Sequence, residues 1–137
     1  MIPYKTKLSK ITGSSDTEVF KKARKLFDQI EKRTKRKHYL ISPYFKKQKV
    51  FFDFFWFHLN QKSKREKVVR LRLLPLAIDL ISNSRNKPTS KPNPNKKSEI
   101  LHRFAGLIGR NEQFYVQIKE DTKKKKLYFM SVFPMNI

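Results

Sequence analysis

Three histidines are the chain's candidates for proton transfer near neutral pH, and each sits in a different setting. His38 lies in a basic, turn-like stretch and reads as solvent-exposed. His58 stands among Phe and Trp residues and reads first as a hydrogen-bonded core histidine. His102 differs, because it falls in a strand-like segment beside Arg103, downstream of a long basic loop. An imidazole with fixed cations nearby supplies what phosphodiester cleavage needs: a proton shuttle and positive charge for the phosphorane. Positive surroundings favour neutral imidazole, so His102 is expected to act as a base.

Other reactive groups are absent or scattered. The chain has no cysteine, which excludes thiol nucleophiles, disulfides and cysteine-based metal sites. Glu99, Glu112, Glu120 and Asp121 are dispersed. Asp16, Asp28, Asp53 and Asp79 fall in helical patterns, with no Asp-x-Asp or His-x-x-x-His spacing. No metal or other cofactor is therefore expected. Gly13, Gly106 and Gly109 are too few for a glycine-rich phosphate loop. An enzyme acting on RNA would then be metal-independent, with the 2′-OH as internal nucleophile.

The charge names a partner class. Thirty-three Lys and Arg face 11 Asp and Glu, a formal net charge of +22 on 137 residues. Such a field concentrates polyanions, and phosphate contacts release counterions, so nucleic acid is the first expectation. An anionic membrane surface is the other polyanion. Biased coding is the bland explanation, but that bias would supply Asp and Glu too. The excess is spread over the chain, 15 basic against 5 acidic in residues 1–60 and 18 against 6 in 61–137, so a dedicated basic tail is not expected. With 12 Phe and 38% hydrophobic residues the chain can bury a core. The opening MIPYKTKLSK lacks the apolar stretch of a signal peptide. The strongest apolar run, Val50 to Leu59, is about half a bilayer span and contains Asp53 and His58. A soluble, cytoplasmic protein with no membrane partner is expected.

These residues must be positioned by a helical half and a β half. Ser15-x-x-Glu18 is a capping box ahead of Val19, Phe20, Ala23, Leu26, Phe27 and Ile30, the stripe of an amphipathic helix ending near Lys35-Arg36-Lys37. Ser42-Pro43 reads as a second helix start, leading into the apolar run from Phe51 to Leu59. Ser63-x-x-Glu66 caps a third helix to about Ile81, with a kink or break expected at Pro75. Residues 83–98, carrying Pro88, Pro92 and Pro94, read as a long loop. Ile100–Ile108, Gln113–Glu120 and Leu127–Pro134 then read as an antiparallel meander. The fold expected is α+β, with about three N-terminal helices packed on a C-terminal three- to four-stranded antiparallel sheet. Residues 1–62 form the helical region and 63–137 the β-containing core of one compact unit.

Within that β half, Leu101-His102-Arg103-Phe104-Ala105-Gly106, Phe114-Tyr115-Val116-Gln117-Ile118-Lys119-Glu120 and Tyr128-Phe129-Met130-Ser131-Val132-Phe133-Pro134 follow one another. Together they resemble the C-terminal core of the barnase/EndoU/colicin-D/RelE-like (BECR-fold) nucleases, in the branch associated with phages and mobile elements. The resemblance covers residues 64–134. It implies helices on an antiparallel sheet and metal-independent RNA cleavage on the open sheet face. By position, His102 resembles the general acid/base, Arg103 and Lys119 the cations on the scissile phosphate, Gln117 a polar orienter and Ser131 a polar residue late in the last strand. The sequence departs from barnase in having no Glu clearly paired with a downstream His. Tyr115 and Tyr128 are candidates to stack on bases, and Arg110 and Arg70 to bind substrate.

Strand alternation sets a condition on this site. Gln117, Lys119 and Tyr115 share a face, whereas His102 and Arg103 point opposite ways unless a bulge intervenes. Lys123–Lys126 reads as a solvated turn. The function expected is a small basic endoribonuclease of the toxin type, with RNA as partner, on the ribosome or free. An acidic antitoxin or immunity protein would be its second partner, by charge complementarity. The alternatives are a non-catalytic nucleic-acid-binding protein, such as a ribosome or nucleoid accessory factor, and an adaptor docking through Phe and Trp.

Overall fold

Ser15 opens the first helix as its spacing predicts: its Oγ accepts a hydrogen bond from the Glu18 backbone N–H at 3.2 Å, and α1 runs Asp16–Arg33. Val19, Ala23, Phe27 and Ile30 are its buried stripe. The structure is a computed structural model that describes residues 2–135; Met1, Asn136 and Ile137, at the ends of the two expected regions, lie outside it. Ser63 caps α3 (Lys64–Arg72) in the same way, through the Glu66 N–H at 3.2 Å. The expected break follows. α3 stops at Leu73 and α4 (Leu74–Asn83) begins with Pro75 in its first turn, where a missing N–H leaves no gap.

The segment around Ser42-Pro43 is not a helix start. It is the turn of a hairpin between β2 (Tyr39–Ser42) and β3 (Gln48–Phe51), with Tyr39 opposite Phe51 and Ser42 opposite Gln48. Lys46 and Lys47 take φ of 55° and 66° there, and the Lys47 N–H donates to the Ser42 carbonyl at 2.8 Å. Leu40 and Val50 are buried while Ile41 and Lys49 are exposed, a two-residue alternation. An unbroken apolar run cannot itself distinguish strand from helix. Here it supplies both: Phe51 ends β3, and only Phe55–Asn60 form a helix, α2.

The expected loop is also a strand. β4 (Thr89–Asn93) folds back over a Pro94-Asn95 turn onto β5 (Lys96–Ile108). Pro92 is tolerated because β4 is hydrogen-bonded on one side only, to β5. Farther along the same edge of β5, β1 (Tyr4–Thr6) pairs in parallel, Tyr4 opposite Gly106. The three expected strands are present, with β6 (Glu112–Asp121) and β7 (Lys126–Pro134) continuing the antiparallel run from β5. β7 then takes β3 as a parallel neighbour, Phe51 opposite Tyr128.

The fold is thus α+β, but the expected three- to four-stranded antiparallel sheet behind N-terminal helices is overturned. Among the described residues seven strands form one curled, mixed sheet in the order β1-β5-β6-β7-β3-β2, with β4 beside β5 and helices between the strands. The extra strands come from turn-rich or short segments whose partners are remote in sequence. One core unites residues from either side of position 62. Phe27, Leu40, Val50 and Phe55 pack with Phe104, Val116, Leu127 and Phe129, and Phe55 stacks on Phe129 at 4.6 Å. Trp56 is half-buried, edge-on to Phe27 and Phe55, while Phe57 faces solvent. Among the described residues no helix is long and apolar enough to cross a membrane.

Candidate functional site

The β5–β6 register is unbroken from Glu99 to Ile108, so the pleat turns His102 and Arg103 to opposite faces. His102 points to the core side and is 8% exposed. Its Nδ1 lies 2.6 Å from the Ser90 Oγ, its Nε2 lies 2.7 Å from the Glu120 Oε1, and the Phe45 ring meets it edge-on at 5.1 Å. With neutral imidazole, Nε2 donates to the Glu120 carboxylate and Nδ1 accepts from the Ser90 hydroxyl. Both ring nitrogens are engaged, and the three side chains tie β4, β5 and β6 together. Ser90 could not be found from sequence because its strand read as loop.

The outer face collects the other strand residues of the expected site. Arg103, Gln117 and Ser131 stand in one cross-strand row, with Arg103 Nη2 3.5 Å from Gln117 Oε1. Tyr115 and Phe133 form the row on one side, and Lys119 and Tyr128 the row on the other. Tyr128 and Ser131 are three residues apart and would point oppositely in a regular strand. The register shift after Gln117 leaves Met130 as an extra residue in β7, and that bulge brings both to the same face.

Cations and rings interleave here. The Arg103 guanidinium lies 5.6 Å from the Tyr115 ring centre and 5.2 Å from Phe133, which Arg70 of α3 approaches at 5.4 Å. Lys119 sits 4.2 Å over Phe54 and 5.5 Å from Tyr128, and its Nζ is 3.4 Å from Glu99 Oε2. Burial pushes the Glu99 carboxyl up, but the Asn93 amide, Lys119 and Lys96 outweigh it and hold the group below its ordinary value. Tyr128 is buried, which raises its phenol pKa, and nearby Asp53 raises it further. Arg110 is exposed in the β5–β6 turn, beyond the end of these rows.

His58 is the histidine on this side. Burial first, then Lys119 and Lys62, push its pKa down, so it is neutral near pH 7. It lines a narrow crevice between α2, α3 and β7 together with Lys62, Arg70 and Ser131. That space, about 10 Å³, holds no more than about one water, so these groups can act only from its rim. Burial lowers the Arg70 pKa while Glu66, 3.9 Å away, raises it; the Arg70 Nε is buried without a hydrogen-bond partner among the described residues. Arg103 and Gln117 line a separate cleft of about 150 Å³ with Lys91 and Leu101. Sequence reasoning did not bring His58 to this face, because only the packing of α2 against β7 does so. Among the described residues no three His, Asp or Glu side chains converge as a metal-binding set.

The Glu99–Lys119 pair carries a pH signature. A carboxyl depressed in the folded state stabilises above its unfolded pKa, and that stability is lost as pH falls through the folded value. Glu99→Gln is expected to flatten the fall in urea midpoint below pH 4.5, the carboxyl's ordinary value. Wild type and variant losing stability in parallel over that range would show that the pair does not stabilise the fold.

Compared with known proteins, the chain matches no family model, no curated protein and no solved structure.

Proposed function

We propose that the chain binds RNA on the outer sheet face and cleaves it there without a metal, by attack of a 2′-OH on the adjacent phosphate. One observation carries this reading: Arg103, Gln117, Lys119 and Ser131 share a face with Arg70 and a neutral His58, on a chain of charge +22. His58 takes the 2′-OH proton from the rim of its crevice. Arg103 and Lys119 stabilise the phosphorane, Gln117 orients it, and the Lys119 ammonium protonates the departing 5′-oxygen. The products are a 2′,3′-cyclic phosphate and a 5′-OH. His102, with both ring nitrogens engaged, holds the strands rather than touching substrate. Acting in the cytoplasm, such a nuclease would need an inhibitor where it is made, and an acidic one would complement its charge.

A second reading is a non-catalytic RNA-binding protein, as a ribosome or nucleoid accessory factor would be. It is favoured by the Glu99 carboxylate that already partners Lys119. Incubation with structured RNA in excess EDTA separates the two. Wild type is expected to leave 2′,3′-cyclic ends, and His58→Ala to cleave about 10²-fold more slowly. His102→Ala is expected to lose about 1–3 kcal/mol of stability, the cost of stranding buried polar partners, yet still cleave while folded. Salt-dependent binding with the RNA left intact would remove the first reading and leave the second.

A further inference from the structure

The outer face does not end at Lys119. In register, Lys119 of β6 stands opposite Tyr128 of β7, Tyr128 opposite Phe51 of β3, and Phe51 opposite Tyr39 of β2. Paired residues point to the same side, so one row of side chains crosses four strands, about 15 Å at the usual strand spacing. The ring centres are 6.3 Å apart from Tyr128 to Phe51 and 6.1 Å from Phe51 to Tyr39. Every ring has a cation: Lys119 at 5.5 Å from Tyr128, Lys126 at 5.8 Å and Lys37 at 5.9 Å from Phe51, Lys49 at 4.6 Å from Tyr39. Two carboxylates temper the row, Glu99 on Lys119 and Asp53 on Lys37 at 3.3 Å. Lys49 and Lys126 have no ion pair among the described residues. The row runs out at β2, the last strand in the order, beside a cleft of about 430 Å³ lined by Arg33, Tyr39 and Lys47.

We propose that this row is a binding track for unpaired RNA, leading away from the Lys119 end across β7, β3 and β2. The inference rests on the RNA reading above and extends it to a substrate class: single strands several nucleotides long on one side of the cleaved bond. A repeating ring with a repeating cation matches a ligand whose unit is one base and one phosphate. Buried Tyr128 is the floor; half-buried Phe51 and Tyr39 present the accessible rings. Duplex RNA keeps its bases stacked on each other and gains little from such a row.

The test uses 2′-O-methyl oligouridines, which lack the nucleophile, so binding is read apart from cleavage. Wild type is expected to bind a 10-mer about tenfold more tightly than a 4-mer at fixed salt, the scale of one stacked base. Tyr39→Ala, and separately the surface variant Lys49→Gln, should pull that ratio toward one, with circular dichroism melts verifying the fold. Equal affinity for the two lengths in wild type, or an unchanged ratio in both variants, would overturn the track. So would an RNA duplex or anionic phosphatidylserine vesicles competing as well as the 10-mer. RNA cleavage by wild type with an unchanged ratio defeats this inference alone. No cleavage by wild type, with a length ratio present in wild type and lost in the variants, defeats the nuclease reading and keeps the track.

Discussion

Lys119→Ala is expected to slow RNA cleavage by about 10²–10³-fold, the usual loss when one preorganised donor to a developing oxyanion is removed. The side chain is 14% exposed and fixed between Phe54 and Glu99, so it would meet a phosphate without first being ordered. The same substitution strands the Glu99 carboxylate, whose side chain is 9% exposed, with Lys96 and Asn93 as its remaining partners. Breaking a buried pair from one side costs about 3–5 kcal/mol, so an inactive variant could merely be unfolded. The double variant Glu99→Gln, Lys119→Met separates these effects by removing the orphaned charge. Urea melts of the double variant should recover most of the stability, while single-turnover cleavage stays at the level of Lys119→Ala. Recovery of cleavage along with stability would mean that Lys119 only supports the fold.

A second large effect on folding is expected at Gly106. It is buried in β5 with Tyr4 of β1 on one side and Phe114 of β6 on the other, and the Phe114 ring lies across the space a Cβ would fill. Phe114 is itself fully buried, so it has nowhere to go. Gly106→Ala should destabilise by about 3 kcal/mol, at the upper end of overpacking costs. Phe114→Leu in the same chain should restore part of that loss by opening the space. An unaltered denaturation midpoint in Gly106→Ala would mean that the ring leaves its place without cost.

What the sequence made legible was what local chemistry decides. Ser15 and Ser63 cap the helices their spacing predicts, a break falls just before Pro75, and the middle strand of the meander alternates as Phe114, Val116 and Ile118 predict. What it hid depended on distant partners. Thr89–Asn93 contains a proline and little apolar character, and becomes a strand only because β5 offers it an edge. Phe51 and Phe55 lie four residues apart in one apolar run, yet one is in a strand and the other in a helix. The site was legible in part for the same reason. The alternation on β6 put Gln117 and Lys119 together, and the pleat of β5 already warned that His102 and Arg103 would separate. The bulge at Met130 and the approach of His58 belong to tertiary packing, and no spacing rule announces them.

The two parallel seams bear on how the chain reaches this structure. Tyr4 meets Gly106, and Val50 meets Leu127, across separations far longer than those within the hairpins from β4 to β7. Closing long loops costs entropy before any contact offsets it, so local pairings form readily and remote ones lag. The sheet is therefore expected to grow outward from its antiparallel centre, with its flanks docking last. Because β3 and β2 form one flank, Lys119 is expected to be set in place before Phe51 joins it.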